Sequence, residues 1–161
     1  MTAAGQLGER VRAFTIVGSN GLGLVRQPTA LERVAENATE AEMLAVARHN
    51  LGALMIADSA RIDDLAVYIQ SQNAPRGRVK SRRFSRADTL ARALPLVRVP
   101  LDGIWGERDA TAYPHLDERA RVLRSFQPGA RFEVIAGAGH WVAYEAADRF
   151  NTLLAEIATT N

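Results

Sequence analysis

The sequence predicts an α/β protein in which a short parallel sheet is covered by helices. Short apolar segments with the pattern of strands alternate with longer segments of helical periodicity, in the order strand, helical block, strand, helix, strand, helix. Alternation of this kind is typical of parallel sheets. The chain has 161 residues, 47% of them hydrophobic, which is enough for one compact domain with a core.

The first strand is predicted over Val11–Val17, and a loop containing Gly21 and Gly23 follows it. From Thr29 to about Leu94 the periodicity is helical. Thr39 and Glu42 have the spacing of a capping box, which predicts a helix start at that point.

Two further helices are predicted within the same block. Apolar residues repeat at helical spacing from Ile62 to Ile69, and this helix should end near Asn73 because Pro75 follows. A short third helix is expected over about Asp88–Leu94.

The C-terminal part predicts two more strands, each followed by a helix. The strands are Leu101–Trp105 and Arg131–Ile135. Helices are expected from about Leu116 to Phe126 and from Val142 to Ile157, where apolar residues recur on one face.

Composition excludes several classes of function. No cysteine is present, which excludes disulfides and thiol chemistry and favours the cytoplasm. No apolar run approaches 18 residues and no secretory signal pattern begins the sequence, so we expect no membrane span. The net charge is only +2, which is weak support for a polyanionic partner.

One stretch, Pro75–Arg86, concentrates positive charge in the sequence "PRGRVKSRRFSR". Such a run can bind phosphates. Phe84 is the only aromatic residue within it, and no nucleic-acid-binding motif surrounds it. We therefore interpret it as a solvated loop or helix face and predict no nucleic-acid partner.

An acid and a histidine follow the last two predicted strands. Asp109 comes four residues after Trp105, and His140 comes five residues after Ile135. The carboxyl ends of parallel strands lie along one edge of a sheet, where ligands bind. If the two strands are neighbours, a carboxylate can orient an imidazole that acts as a general base.

The segments around these two residues resemble α/β-hydrolases. "VPLDGIWGERDA" and "RFEVIAGAGHWVAYE" look like the last two strands and catalytic loops of that superfamily. The resemblance implies the C-terminal portion of the fold, with Asp109 as the acid and His140 as the base of a serine triad. It implies core segments over residues 1–27 and 97–161 and an inserted helical cap over residues 28–96.

The resemblance also implies that the nucleophile is missing from this chain. Ser19 follows a strand and has neighbouring glycines, but Val17 is too large for a nucleophile elbow, and "NGLGLVRQP" is a poor helix start. We reject Ser19 as the nucleophile. The chain is expected to lack the N-terminal nucleophile half, whether by gene truncation, a late start codon or an incomplete sequence, and to be inactive alone.

Trp141 and the helical block look most like carbon–carbon bond hydrolases that act on ring-fission products of aromatic degradation. The predicted substrate contacts are Trp141, His49 and Arg76. Trp141 either lines the pocket or packs in the core, and His49 is a packing residue or a substrate contact. Gln70 and Gln72 stand where these enzymes usually carry a carboxylate-binding arginine, which leaves an ester hydrolase open.

The predicted partner of a complete enzyme is a small-molecule substrate. No cofactor is implied, and three widely spaced histidines give no metal-ligand pattern. The alternative function is a non-enzymatic remnant or interaction module. In either case the first strand, without the nucleophile strand beside it, should form an unpaired apolar edge, which favours self-association or pairing with an N-terminal half.

Overall fold

The computed structural model of the chain describes residues 10–78 and 86–160. Within these ranges the sheet has three parallel strands in the order β1-β2-β3. They are β1 (Phe14–Val17), β2 (Leu101–Gly106) and β3 (Arg131–Ile135). The predicted parallel sheet is confirmed, although β1 begins three residues later than the sequence pattern indicates.

The register aligns the carboxyl ends of the three strands. Val17 lies opposite Ile104, and Gly106 lies opposite Ile135. The N–H of Gly18 continues the ladder by donating to the carbonyl of Ile104 at 3.0 Å. The loops that follow the three strands therefore leave the sheet along the same edge.

Most of the helices lie where the sequence predicts them. Two single turns of 3₁₀-helix, Ser59–Arg61 and Leu94–Leu96, lie in the block between β1 and β2. The α-helices of the described residues are α1 (Glu40–Leu54), α2 (Asp64–Asn73), α3 (Thr89–Ala93), α4 (Leu116–Phe126), α5 (Val142–Glu145) and α6 (Ala147–Thr160).

The start of α1 is the predicted capping box. The N–H of Glu42 donates to Thr39 Oγ1 at 3.3 Å, and the N–H of Thr39 donates to Glu42 Oε2 at 2.7 Å. The Thr39 hydrogen bonds lower the pKa of Glu42. Because Thr39 is extended, the helix cannot continue upstream, and the expectation of helix from Thr29 onward is wrong for the residues before Glu40.

The final predicted helix is two helices. Its periodicity runs from Val142 to Ile157, but the backbone leaves helical geometry at Ala146, with φ −128° and ψ 49°. The break lets α5 and α6 each present a buried side to the molecule. Val142 on α5 and Leu153 on α6 both pack in the cluster that contains Ile104.

The two faces of β2 carry two separate cores, because successive side chains of a strand point to opposite faces. Leu101 and Trp105 pack with α4, and the Trp105 ring stacks on Phe132 with ring centroids 4.9 Å apart. Ile104 faces α6 on the other side. A third cluster, centred on Leu51, lies within the helical block.

Strand β1 is an edge strand within the described part of the chain, paired with β2 alone. Ile16 is buried against the core, whereas Val17 is exposed. The edge position agrees with the sequence-based expectation. Self-association through this edge stays a prediction.

The charged segment is only partly described. Arg76, Arg78 and Arg86 are exposed, while Lys80, Arg82 and Arg83 lie outside the described residues. Across residues 10–78 and 86–160, no helix combines the length and the apolar character that crossing a bilayer requires.

Gly106 allows the loops after β2 and β3 to meet. A methyl group at this position would overlap the carbonyl oxygens of Ala138 and Gly139. Both are backbone atoms that cannot rotate away. We expect Gly106→Ala to lower the free energy of unfolding by about 1–3 kcal/mol, measured by urea denaturation.

Gly129 supplies the matched control. A methyl group there would meet nothing within 4 Å, and this glycine does not have a positive φ. Gly129→Ala should change the stability by no more than about 0.5 kcal/mol. Equal stability of the two variants would show that the loops do not approach as closely as described.

Candidate active site

The acid and the histidine meet at the carboxyl edge of the sheet. Asp109 Oδ2 lies 2.9 Å from His140 Nδ1. The Asp109 side chain is fully buried, and 23% of the His140 side chain is exposed. The predicted hydrogen-bonding contact between these residues is confirmed, and it follows from the parallel pairing of β2 with β3.

The loop after β2 fixes the second oxygen of the acid. Asp109 Oδ1 accepts a hydrogen bond from the N–H of Thr111 at 2.8 Å. The Asp109 carbonyl accepts from the N–H groups of Ala112 and Tyr113, which closes a tight turn. The hydrogen bond to Oδ1 thus holds the carboxylate in the orientation in which Oδ2 faces the imidazole.

This contact sets the chemistry available to His140. A carboxylate oxygen only accepts hydrogen bonds, so Nδ1 must carry a proton when it lies 2.9 Å from Asp109 Oδ2. The neutral ring then leaves Nε2 unprotonated, able to remove a proton from a substrate or a nucleophile. Such an arrangement can act as a general base, with the carboxylate stabilising the imidazolium that forms.

A buried arginine holds the acid loop from behind. Arg119, on α4, donates to the carbonyls of Thr111, Ala112 and His115 at 2.9 to 3.0 Å. Burial lowers the pKa of Arg119, and the attraction of Asp109 opposes that shift. Sequence reasoning missed this residue, because nothing distinguishes Arg119 from the other arginines of the same helix.

Glu145 clamps the histidine loop to the helical block. Its carboxylate accepts from the N–H of Gly139 at 2.7 Å and from the N–H groups of Ala57 and Asp58 at 3.1 and 2.7 Å. Because the carboxylate is buried at the end of α5, it serves backbone donors of two other segments.

Trp141 packs against the helical block. Its backbone N–H donates to the carbonyl of Met55 at 2.7 Å. The centroid of its ring lies 5.9 Å from that of the Tyr144 ring. The contacts are those of the core-packing alternative. A substrate contact by Trp141 stays a prediction.

The hydroxyl of Tyr144 extends this contact to the start of α2. It donates to Asp63 Oδ1 at 2.6 Å, and the same oxygen caps α2 by accepting from the N–H of Ala66. The Tyr144 hydrogen bond and the cap lower the pKa of Asp63, and the carboxylate raises the pKa of Tyr144.

The other two predicted substrate contacts, His49 and Arg76, have no hydrogen bond to the acid or the base among the described residues. His49 is half-exposed, with Nδ1 3.6 Å from Glu32 Oε1. It borders an open depression of about 460 Å³ that Ala110 and Tyr113 of the acid loop also line. Arg76 is exposed just beyond α2. Their assignment as substrate contacts stays a prediction.

Ser19 lies in a loop close to His140. Its hydroxyl donates to the carbonyl of Val17 at 3.2 Å, and the neighbouring Gly18 packs against the imidazole. No helix occurs between β1 and Glu40 in this described stretch. The interpretation of the segment as a loop rather than a nucleophile elbow is confirmed.

No group of three or more potential metal ligands occurs among the described residues. Nδ1 of His115, at the start of α4, lies 3.2 Å from Oε1 of Glu118, one helical turn away. Of the three histidines, His140 is the one whose partner carboxylate is fully buried.

The contribution of the Glu145 carboxylate to stability can be measured by removing one of its oxygens. Glu145→Gln replaces two acceptor oxygens by one, so the three backbone donors cannot all be satisfied. We expect a loss of stability of about 1–3 kcal/mol, measured by urea denaturation. Amide hydrogen exchange should accelerate at Ala57, Asp58 and Gly139.

Glu156→Gln is the matched control, because Glu156 is exposed and lies 4.0 Å from Arg149. Its effect should stay below about 0.5 kcal/mol. Unchanged protection of the three amides in Glu145→Gln would contradict the clamp.

Comparison with known proteins identifies the fold. No family model and no curated protein matches the sequence. Among solved structures, a serine hydrolase involved in carbazole degradation superposes with a TM-score of 0.62 and 19% identity, over 99% of this chain and 58% of that protein.

Two further solved structures also superpose on this chain. The enol-lactonase from Burkholderia xenovorans LB400 has a TM-score of 0.59 and 20% identity, over 98% of this chain and 60% of its own. The 2-hydroxy-6-oxo-6-phenylhexa-2,4-dienoate hydrolase from Rhodococcus sp. strain RHA1 has a TM-score of 0.58 and 18% identity, over 96% of this chain and 58% of its own. The chain thus spans less than two thirds of the length of these proteins, and over that span it has the α/β-hydrolase fold.

Proposed function

We propose that this chain supplies the acid and the base of a serine-hydrolase active site. The observation that carries the proposal is the 2.9 Å contact between Asp109 Oδ2 and His140 Nδ1 at the carboxyl edge of neighbouring parallel strands. An Asp–His pair at this place in an α/β-hydrolase fold has the geometry of two members of a triad.

In this proposal the nucleophile is a serine on polypeptide outside this sequence. His140 Nε2 removes the hydroxyl proton as the serine oxygen attacks the substrate carbonyl, and later delivers that proton to the leaving group. Asp109 keeps the proton on Nδ1 and stabilises the imidazolium. We exclude Ser19 from this role because a nucleophile elbow leads from a strand directly into a helix, and no helix follows Ser19 before Glu40 in the described stretch.

The proposed reaction of the complete enzyme is hydrolysis of a carbon–carbon bond in a ring-fission product, or of an ester. The structural neighbours support both, since one is named as a dienoate hydrolase and another as an enol-lactonase. The proposed substrate contacts are Trp141, His49 and Arg76, with the helical block as a cap over a small-molecule substrate. We place such an enzyme in the cytoplasm.

A second candidate is a non-enzymatic remnant or interaction module, which the exposed edge of β1 favours. Within the described residues this strand pairs on one side only, and Val17 at its end is exposed. A free edge of this kind can pair with another strand. Under this candidate the chain associates with itself or with a partner, and its Asp109–His140 pair has no catalytic use.

An assay in two parts separates these functions. The isolated chain should hydrolyse an aryl ester no faster than buffer and should not react with a serine-directed phosphonate probe, because no serine among the described residues hydrogen-bonds to His140. Joined to upstream-encoded polypeptide containing G-x-S-x-G, it should hydrolyse the ester. His140→Ala should then reduce kcat by about 10³-fold or more.

His49→Ala changes a proposed substrate contact outside the Asp109–His140 pair, so it should raise KM more than it lowers kcat. A stop codon in place of that upstream segment, together with self-association in size-exclusion chromatography with light scattering, would support the interaction module. Phosphonate labelling of the isolated chain at Ser19, abolished by His140→Ala, would contradict the proposed source of the nucleophile.

A further inference from the structure

His140 Nδ1 has a second oxygen within hydrogen-bonding reach. Besides Asp109 Oδ2 at 2.9 Å, Thr111 Oγ1 lies 3.2 Å from this nitrogen. The Thr111 side chain is buried in the turn that also holds the acid. Because Nδ1 must carry its proton to face the carboxylate, Thr111 Oγ1 can only accept from it.

The hydroxyl of Thr111 is oriented in turn by a residue of another loop. Asn20, which follows β1, donates from Nδ2 to Thr111 Oγ1 at 3.1 Å. A hydroxyl oxygen has two lone pairs, and here one faces the Asn20 amide while the other faces the imidazole. The amide therefore favours the rotamer of the hydroxyl in which it acts as an acceptor toward His140.

Gly18, in the loop after β1, also lies close to the imidazole of His140. Gly18 has φ +51°, and a methyl group on it would come within 3.3 Å of His140 Nδ1. This close approach requires a glycine on conformational and steric grounds. The imidazole is thus bordered by Gly18 on one side and by the Asp109–Thr111 oxygens on another.

We propose that Thr111 and Asn20 are positioning residues for His140, with Thr111 sharing the Nδ1 proton with Asp109 and Asn20 fixing the Thr111 hydroxyl as an acceptor. The inference rests on the proposed function in that His140 is the base. It links the loop after β1 to the protonation of the base, through side chains that the Asp–His pattern does not include.

Two buried charged side chains of the neighbouring elements bond to backbone groups rather than to the ring. Arg119 lies behind the acid loop and donates to three of its carbonyls, including that of Thr111. Glu145 binds the N–H of Gly139, directly before His140. Asp109 is thus the charged acceptor for the Nδ1 proton of His140, and Thr111 is the uncharged one.

The experiment measures the Nδ1 proton of His140 by nuclear magnetic resonance in the ¹⁵N-labelled chain. Thr111→Val replaces the hydroxyl by a methyl group of similar size and removes one acceptor. We expect the Nδ1 proton resonance to shift and its exchange with solvent to accelerate about fivefold, the factor for one lost hydrogen bond. Thr111→Ser, which keeps the oxygen, should restore wild-type behaviour.

Two other variants complete the design. Asn20→Ala should shift the same resonance, because the Thr111 hydroxyl loses its fixed orientation. Ser19→Ala, next to Asn20, removes a hydroxyl that bonds to the Val17 carbonyl and should leave the resonance unchanged. If Thr111→Val does not fold, Asn20→Ala decides the inference alone, and an unshifted resonance in that variant overturns it.

Failure of the inference differs from failure of the proposed function. An Nδ1 proton that is lost in Asp109→Asn but unchanged in Thr111→Val would leave the acid–base pair intact and overturn the role of Thr111. A wild-type ring protonated at Nε2 instead, with Thr111 donating to Nδ1, would contradict both.

Discussion

The site depends on the close approach of the two loops that leave β2 and β3. Gly106 ends β2, and the backbone of Gly139 packs directly on its Cα with no room for a side chain between them. Since the strands are parallel and in adjacent positions, this contact places the acid loop and the histidine loop on the same edge. The 2.9 Å contact between Asp109 and His140 is its consequence.

Around this contact, buried charges stabilise backbone rather than one another. Arg119 satisfies carbonyls of the acid loop, and Glu145 satisfies N–H groups of the histidine loop and of the helical block. A buried charge is costly unless hydrogen bonds compensate it. These two side chains thus tie down the loops that carry Asp109 and His140.

The sequence predicts the parts of this structure that depend on local patterns. Strand alternation and the Thr39 capping box locate β3 and the start of α1, and the positions of Asp109 and His140 after strands predict their contact. It does not predict the break at Ala146 or the clamp by Glu145, because both depend on long-range packing. The role of Thr111 likewise depends on a residue 91 positions away, and no spacing rule indicates such a pair.

A double-mutant cycle measures the energetic coupling between Asp109 and His140, with Asp109→Ala, His140→Ala and the double variant compared by urea denaturation at neutral pH. We expect a coupling free energy of about 1–3 kcal/mol, as for a hydrogen bond to a buried carboxylate. Additive effects of the two substitutions, with a coupling energy near zero, would contradict it.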